Sequence, residues 1–242
     1  MTVSLTNNLF DRCSIVFNRA GTSPACFAVV CYNNLAHAGL FWAYYVLSPL
    51  DIPGSDPQTL LSWYFYYILF ESWSLGEEGG GTDYNGNSNW RYYLNFSWNA
   101  YCNDIPLGGY GNQTLTLLDY QTGALGSFYY NTNKSGGYDG GTNTAWLIHA
   151  GNGSAANVGL YHYTVTTNNV VEGTNVVSIG FHYVAVGANG LPLDSNGDGI
   201  PDYLEDVNGN GVVDSGEINW QVGGDLGLQV WITQPQNNSV IP

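Results

Sequence analysis

YLNFSWNA, residues 93–100, alternates apolar and polar side chains. Leu94, Phe96, Trp98 and Ala100 fall on one side of an extended chain, and Asn95, Ser97 and Asn99 on the other. Successive side chains of a strand point to opposite faces, so a period of two predicts a strand with one buried face. The pattern returns downstream. In VGLYHYTV (158–165), Tyr161, Tyr163 and Val165 alternate with Leu160, His162 and Thr164. In VSIGFHYVAV (177–186), Val177, Ile179, Phe181 and Tyr183 share a side. Clusters of turn-forming residues separate such runs about every ten residues, which predicts a mainly β chain built as an antiparallel β-sandwich, of jelly-roll or immunoglobulin-like type.

Upstream, the stretch SDPQTLLSWYFYYILFESWSLG (55–76) reads differently. Asp56 suits an N-cap, Pro57 the first helical position and Gly76 a helix end, so a buried helix is expected near 57–74. The competing signal is WYFYYILF (63–70), whose aromatics favour a strand. GEEGGGTDYNGNSN (76–89) reads as a loop and an internal boundary. The expected organisation is a β-rich domain over 1–190, a loop segment over 191–220, and a last strand or the start of a next module over 221–242. In that tail Leu226, Leu228, Val230 and Ile232 alternate.

Between the β-rich part and the tail lies DSNGDGIPDYLEDVNGNGVVDSGE, residues 194–217. It holds seven of the nineteen carboxylates, and no Lys or Arg follows Lys134. Two twelve-residue units run in register. Asp194, Asn196, Asp198, Asp202 and Glu205 occupy positions 1, 3, 5, 9 and 12 of the first, with Gly199 at position 6. Asp206, Asn208, Asn210, Asp214 and Glu217 occupy the same positions of the second, with Gly211 at position 6. This is the pattern of a calcium loop. A hard cation collects six to eight oxygens from alternate side chains, from the carbonyl at position 7 (Ile200, Val212) and from the acid at position 12. Two Ca2+ ions are expected, supplying the countercharge that the sequence lacks. An EF-hand is not: no helix pattern precedes Asp194, Glu205 abuts Asp206, and Pro201 has no N–H at position 8.

The stretch 194–217 resembles thrombospondin type 3 repeats and similar calcium repeats of secreted bacterial surface proteins. The resemblance implies stiff calcium-filled spacers and an extracellular or cell-surface setting. It covers about a tenth of the chain by the same motif match, and it implies no activity.

Composition agrees with such a setting. Only 10% of the 242 residues are charged, and the net charge is −15. That balance argues against nucleic acid and against anionic membranes, and Asn33, Asn34 and His37 interrupt the longest uncharged run, which argues against membrane insertion. Cys13, Cys26, Cys31 and Cys102 are compatible with one or two disulfides in an oxidising compartment. Asn95, Asn112, Asn133, Asn152 and Asn237 open glycosylation sequons, so a glycoprotein is expected.

No nucleophile elbow, zinc-protease helix motif or phosphate loop is present. The histidines (37, 149, 162, 182) are far apart in sequence, although His162 and His182 fall on predicted strands and could meet. Glu71, Glu77 and Glu78 form the closest acid group outside the loops and read as solvated loop acids. The expectation is therefore not an enzyme. It is a calcium-binding structural protein, a subunit of a surface filament or adhesin. Its partners are further copies of itself, joined head to tail by strand exchange, or neighbouring surface proteins and glycans. The competing reading is a carbohydrate-binding or spacer module of a larger secreted enzyme.

Overall fold

The computed structural model describes residues 2–18, 27–44, 61–72, 74–78, 94–102, 110–136 and 142–224. Its first half is built from repeated three-strand coils. The first coil is β1 (Thr2–Thr6), β2 (Leu9–Asp11) and β3 (Ser14–Asn18). The second is β4 (Phe27–Tyr32), β5 (Leu35–His37) and β6 (Leu40–Tyr44), and the third is β7 (Leu61–Tyr66), β8 (Leu69–Glu71) and β9 (Ser74–Glu78). β10 (Leu94–Ser97) and β11 (Ala100–Cys102) open a fourth, and β12 (Gln113–Leu115) belongs to a fifth.

Each strand pairs in parallel with its counterpart one coil on. The three sheets run β1-β4-β7-β10, β2-β5-β8-β11-β12 and β3-β6-β9. A chain wound this way is a β-solenoid. This overturns the antiparallel β-sandwich. The alternation itself is present, because a coil strand also has an inner and an outer face; a period of two carries no information on strand direction. YLNFSWNA shows the point. It is not one strand but two, broken where Trp98 turns at φ 57°.

The predicted helix near 57–74 is also overturned. Residues 57–60 lie outside the described residues, and from Leu61 onward the stretch forms β7, β8 and the start of β9. Aromatic strand propensity and parallel neighbours on both sides outweigh the helix-start residues: β7 lies between β4 and β10, and β8 between β5 and β11. Of the boundary expected near 76–89, Gly76–Glu78 end β9 and the remainder lies outside the described residues, as does the strand at 226–232.

The coils turn at two columns. Asn7, Asn33, Tyr67 and Trp98 mark the first, at φ 54°, 52°, 58° and 57°, and Arg12, Ala38 and Ser72 the second. The left-handed conformation suits Asn and is costly for Tyr and Trp, so stacking must hold it in the third and fourth coils. The next residue of the first column forms a side-chain ladder. Asn34 Oδ1 accepts from Asn8 N at 2.7 Å, and its Nδ2 donates to Leu5 O at 2.8 Å. Asn99 Oδ1 accepts from Ile68 N at 2.9 Å, and its Nδ2 donates to Phe65 O at 2.9 Å. These bonds satisfy turn amides that would otherwise be buried unpaired.

Val29, Cys31, Phe65, Ala36, Phe70 and Tyr101 fill the solenoid, with Phe70 stacked on Tyr101 at 5.2 Å. On the other face of the second sheet, Leu35, Leu69 and Ala100 join one apolar cluster with Leu147, Leu160, Val165, Val177 and Ile179. The second half of the chain thus covers this sheet. It is mostly turns, with short 3-10 turns at Thr144–Leu147 and Ala156–Val158 and one helical turn, α1 (Asp202–Glu205). The strands expected at 158–165 and 177–186 contract to β13 (Tyr163–Thr164) and β14 (Tyr183–Val184), an antiparallel pair.

Segment 178–182 crosses the first turn column. Asn7 exchanges two bonds with the His182 backbone, at 2.7 and 2.9 Å. Asn33 Nδ2 donates to Ser178 O at 3.1 Å, and Gly180 N donates to Tyr67 O at 2.7 Å.

No disulfide joins Cys13, Cys31 and Cys102, the cysteines among the described residues, which corrects the expected bridges between them. Cys31 points into the solenoid, where burial pushes its thiol up to about 12, while Cys102 lies on a different sheet. Among the described residues no helix is long and apolar enough to cross a membrane.

Candidate functional site

The two twelve-residue units fold as two loops of the same backbone plan. Positions 4 and 6 carry positive φ in both: Gly197 (72°) and Gly199 (95°) in the first, Gly209 (66°) and Gly211 (78°) in the second. Position 1 gathers loop amides in both. Asp194 accepts from Gly197 N and Gly199 N at 2.7 and 2.9 Å, and Asp206 from Asn210 N and Gly211 N at 3.1 and 2.6 Å. Position 5 receives the amide of position 7 in both: Asp198 from Ile200 N at 2.8 Å, Asn210 from Val212 N at 2.6 Å.

In the first loop the acids are drawn inward. Glu205 and Asp202 are buried, and Asp194, Asn196, Asp198 and Ile200 half-buried. Asp202 braces the loop from inside, accepting from Ser195 N and Ser195 Oγ, each at 2.6 Å. Glu205 is 0% exposed. Burial, then the carboxylates of Asp198, Asp202 and Asp194, push its pKa above the ordinary value, against a hydrogen bond from Asn196 Nδ2 at 3.1 Å. Asp198 Oδ2 is buried with no hydrogen-bond partner. Mutually repelling acids with an orphaned oxygen suit a hard cation.

The second loop is more open. Asn208, Val212 and Asp214 are exposed, Asn210 and Glu217 half-buried, and Asp206 and Gly209 buried. Its acids are held by donors rather than pressed against each other. Asp214 Oδ2 accepts the Asn208 and Asn210 amides, each at 2.8 Å, and these hold its carboxyl below the usual range. Glu217 accepts from Asn208 N at 3.3 Å and Asp214 N at 2.9 Å.

Among the described residues no group of three or more His, Cys, Asp or Glu side chains is placed to hold a metal ion, a finding that runs against the metal binding expected of this stretch. The loops draw on a wider donor set. Asn196, Asn208, Asn210 and the carbonyls of Ile200 and Val212 offer oxygens of the kind calcium accepts and fall outside any such cluster. The residues fit calcium only through mixed oxygen donors: Asp194, Asn196, Asp198, Ile200 and Glu205 would hold one ion, and Asp206, Asn208, Asn210, Val212, Asp214 and Glu217 a second.

Three polar groupings escaped the sequence reading. Glu71 is no solvated loop acid. It lies on β8 at 14% side-chain exposure, hydrogen-bonded to His37 and reached by Tyr120 Oη at 3.4 Å, with Asp11 3.6 Å from the far side of His37. Parallel register puts Asp11, His37 and Glu71 side by side, a juxtaposition legible only once the coils are aligned. Glu77 and Glu78 lie on β9. The second grouping is Glu172, 3% exposed, bonded to Ser178 and 3.6 and 4.0 Å from His182 and His149. The third pairs His162 with Asp206 at 2.9 Å. His162 and His182 thus each face an acid of their own.

Of the sequons, Asn112 accepts the Asn99 amide within the ladder, so its side chain is committed to the fold. Asn133 and Asn152 are exposed, and Asn237 lies outside the described residues. Comparison with models of known families, with curated proteins and with solved structures returns no match.

Proposed function

We propose that the chain is a non-catalytic, calcium-binding structural protein of the cell surface or extracellular space, a subunit of a filament or adhesin that assembles by strand exchange. The observation that carries this reading is the first loop, where Glu205 is buried beside three other carboxylates and Asp198 Oδ2 is left without a partner. Calcium at millimolar extracellular concentration answers that charge. By the resemblance to thrombospondin type 3 repeats, the loaded loops act as stiff spacers.

Assembly is proposed through the strand edges of the first coil. Among the described residues β1, β2 and β3 are the outermost strands of their sheets. A row of strand edges is a template for another chain, and main-chain bonds to an added strand supply affinity while its alternate side chains set register. The alternating tail 226–232 of a neighbouring copy is the proposed donor. Such a contact is heterologous and propagates head to tail.

The test is sedimentation and negative-stain microscopy in millimolar calcium, for the full chain and for a chain lacking 226–242. Fibres from the full chain alone support the reading. A full chain that stays monomeric at high concentration, or a truncated chain that forms the same fibres, overturns strand exchange. Monomeric particles that bind a glycan array favour the carbohydrate-binding or spacer module instead.

A further inference from the structure

The second loop is fastened to residues 159–162 of the body by several contacts. His162 is 3% exposed, and its Nε2 lies 2.9 Å from Oδ2 of Asp206, itself 1% exposed. The carboxylate is an acceptor, so Nε2 carries the proton and donates. The ring is clamped edge-on by Tyr161 at 5.0 Å and Trp220 at 4.8 Å. Tyr161 N donates to Gly209 O at 3.0 Å. A Cβ at Gly211 would fall 2.2 Å from the Tyr161 ring, and one at Gly209 would fall 2.2 Å from Gly159 O. The loop's glycines are therefore demanded by docking as well as by φ. The glycines of the first loop are not packed this way: a Cβ at Gly197 or Gly199 would meet nothing within 4 Å.

We propose that His162 is the positioning residue of the second calcium loop: its Nε2–H holds Asp206, the position-1 ligand, oriented for the ion, and Trp220 on its ring senses loading. The inference rests on the calcium reading above and adds to it. Ligands that depend on an outer partner for their orientation lose about 10–100-fold in metal affinity when the partner is removed. The exposed, weakly buried second loop has most to gain from such a partner, because few of its other ligands are held by packing.

The experiment is calorimetric titration of the full chain with CaCl2, for wild type, His162→Phe, His162→Gln and His162→Asn, with tryptophan emission followed in parallel. Gln places an amide N–H near the position of Nε2, whereas Asn stops short of it. Wild type is expected to bind two ions. Phe and Asn should weaken one of them by about 10–100-fold, the same one that Glu217→Gln removes, and Gln should restore it to within a few-fold. Trp220→Phe should abolish the emission change that accompanies that site. Should Phe fail to fold, the Gln-versus-Asn contrast carries the test. Two unchanged sites in both Phe and Asn, or equal weakening in Gln and Asn, overturn the positioning role while leaving the calcium reading intact. A wild type that binds no calcium overturns both.

Discussion

Glu205 and Glu172 are both buried, at 0% and 3% exposure, and both are pushed above the ordinary carboxylate range with burial as the first cause. Their surroundings part company after that. Beside Glu205 stand Asp198, Asp202 and Asp194, all of one sign. Beside Glu172 stand the Ser178 hydroxyl and amide, which pull its pKa down, and the imidazoles of His182 and His149. One proton neutralises Glu172, whose pKa rises only to about 7. One proton on Glu205 leaves its neighbours still repelling each other, whereas a divalent cation answers them together. Burial alone does not tell the two glutamates apart; the sign of the neighbours does.

The sharpest way to break this contrast is to remove calcium. Two sites at roughly a hundredfold above Kd contribute about 2.7 kcal/mol each, so chelation should lower Tm by roughly 10 °C or more. Scanning calorimetry with and without chelator measures it, and an unchanged Tm would end the calcium reading. Glu205→Gln should then remove the first loop's share, roughly half of that response, while Glu172→Gln keeps it whole. If Glu172→Gln blunts the calcium response as strongly, the two glutamates are not the different kinds of site described here.

A smaller effect follows from pH. Glu172 has a folded pKa above its unfolded value, so its contribution is full below about 4.5 and is lost as pH rises through about 7. His182, which burial pushes down to about 3, acts in the opposite sense: its contribution is present above about 6.5 and lost as pH falls toward 3. Glu172→Gln isolates the acid. The variant should gain on wild type between pH 5 and 8, reaching on the order of 2 kcal/mol in chemical denaturation at pH 8. Parallel stability curves for the two proteins would show that Glu172 does not titrate in this window. Smallest of all, Asp214→Asn should leave the chelated protein's Tm where it was and weaken only one of the two calcium sites. A fall in the chelated Tm would mean the exposed loop acid carries fold stability that its surroundings do not suggest.

The backbone of the loops was legible because the twelve-residue pattern fixes residue types at set spacing within one short stretch, and Gly199 and Gly211 stand at the predicted turns. The solenoid was not. Its coil repeat is uneven in length, and its turn column reads Asn-Asn at 7–8 and 33–34 but Tyr-Ile at 67–68 and Trp-Asn at 98–99. Alternation within each strand was visible; parallel stacking of strands distant in sequence leaves no trace in a local window. For the same reason His37 and Glu71, neighbours through register, looked unrelated. Leu160, His162 and Thr164 are buried on one alternating side, but Val165 of the other side is buried as well, and only Tyr163–Thr164 is strand.

A stack of coils ordinarily peels from its end, since each coil touches only the next. The segment Ser178–His182 removes that freedom. It grips Asn7, Asn33 and Tyr67, one residue from each of three successive coils, from a part of the chain far downstream. Tension that lifts the first coil must load the His182 bonds and, through five contiguous residues, those of the second and third coils together. The stack then yields as a block, with this crosswise segment acting as its rivet.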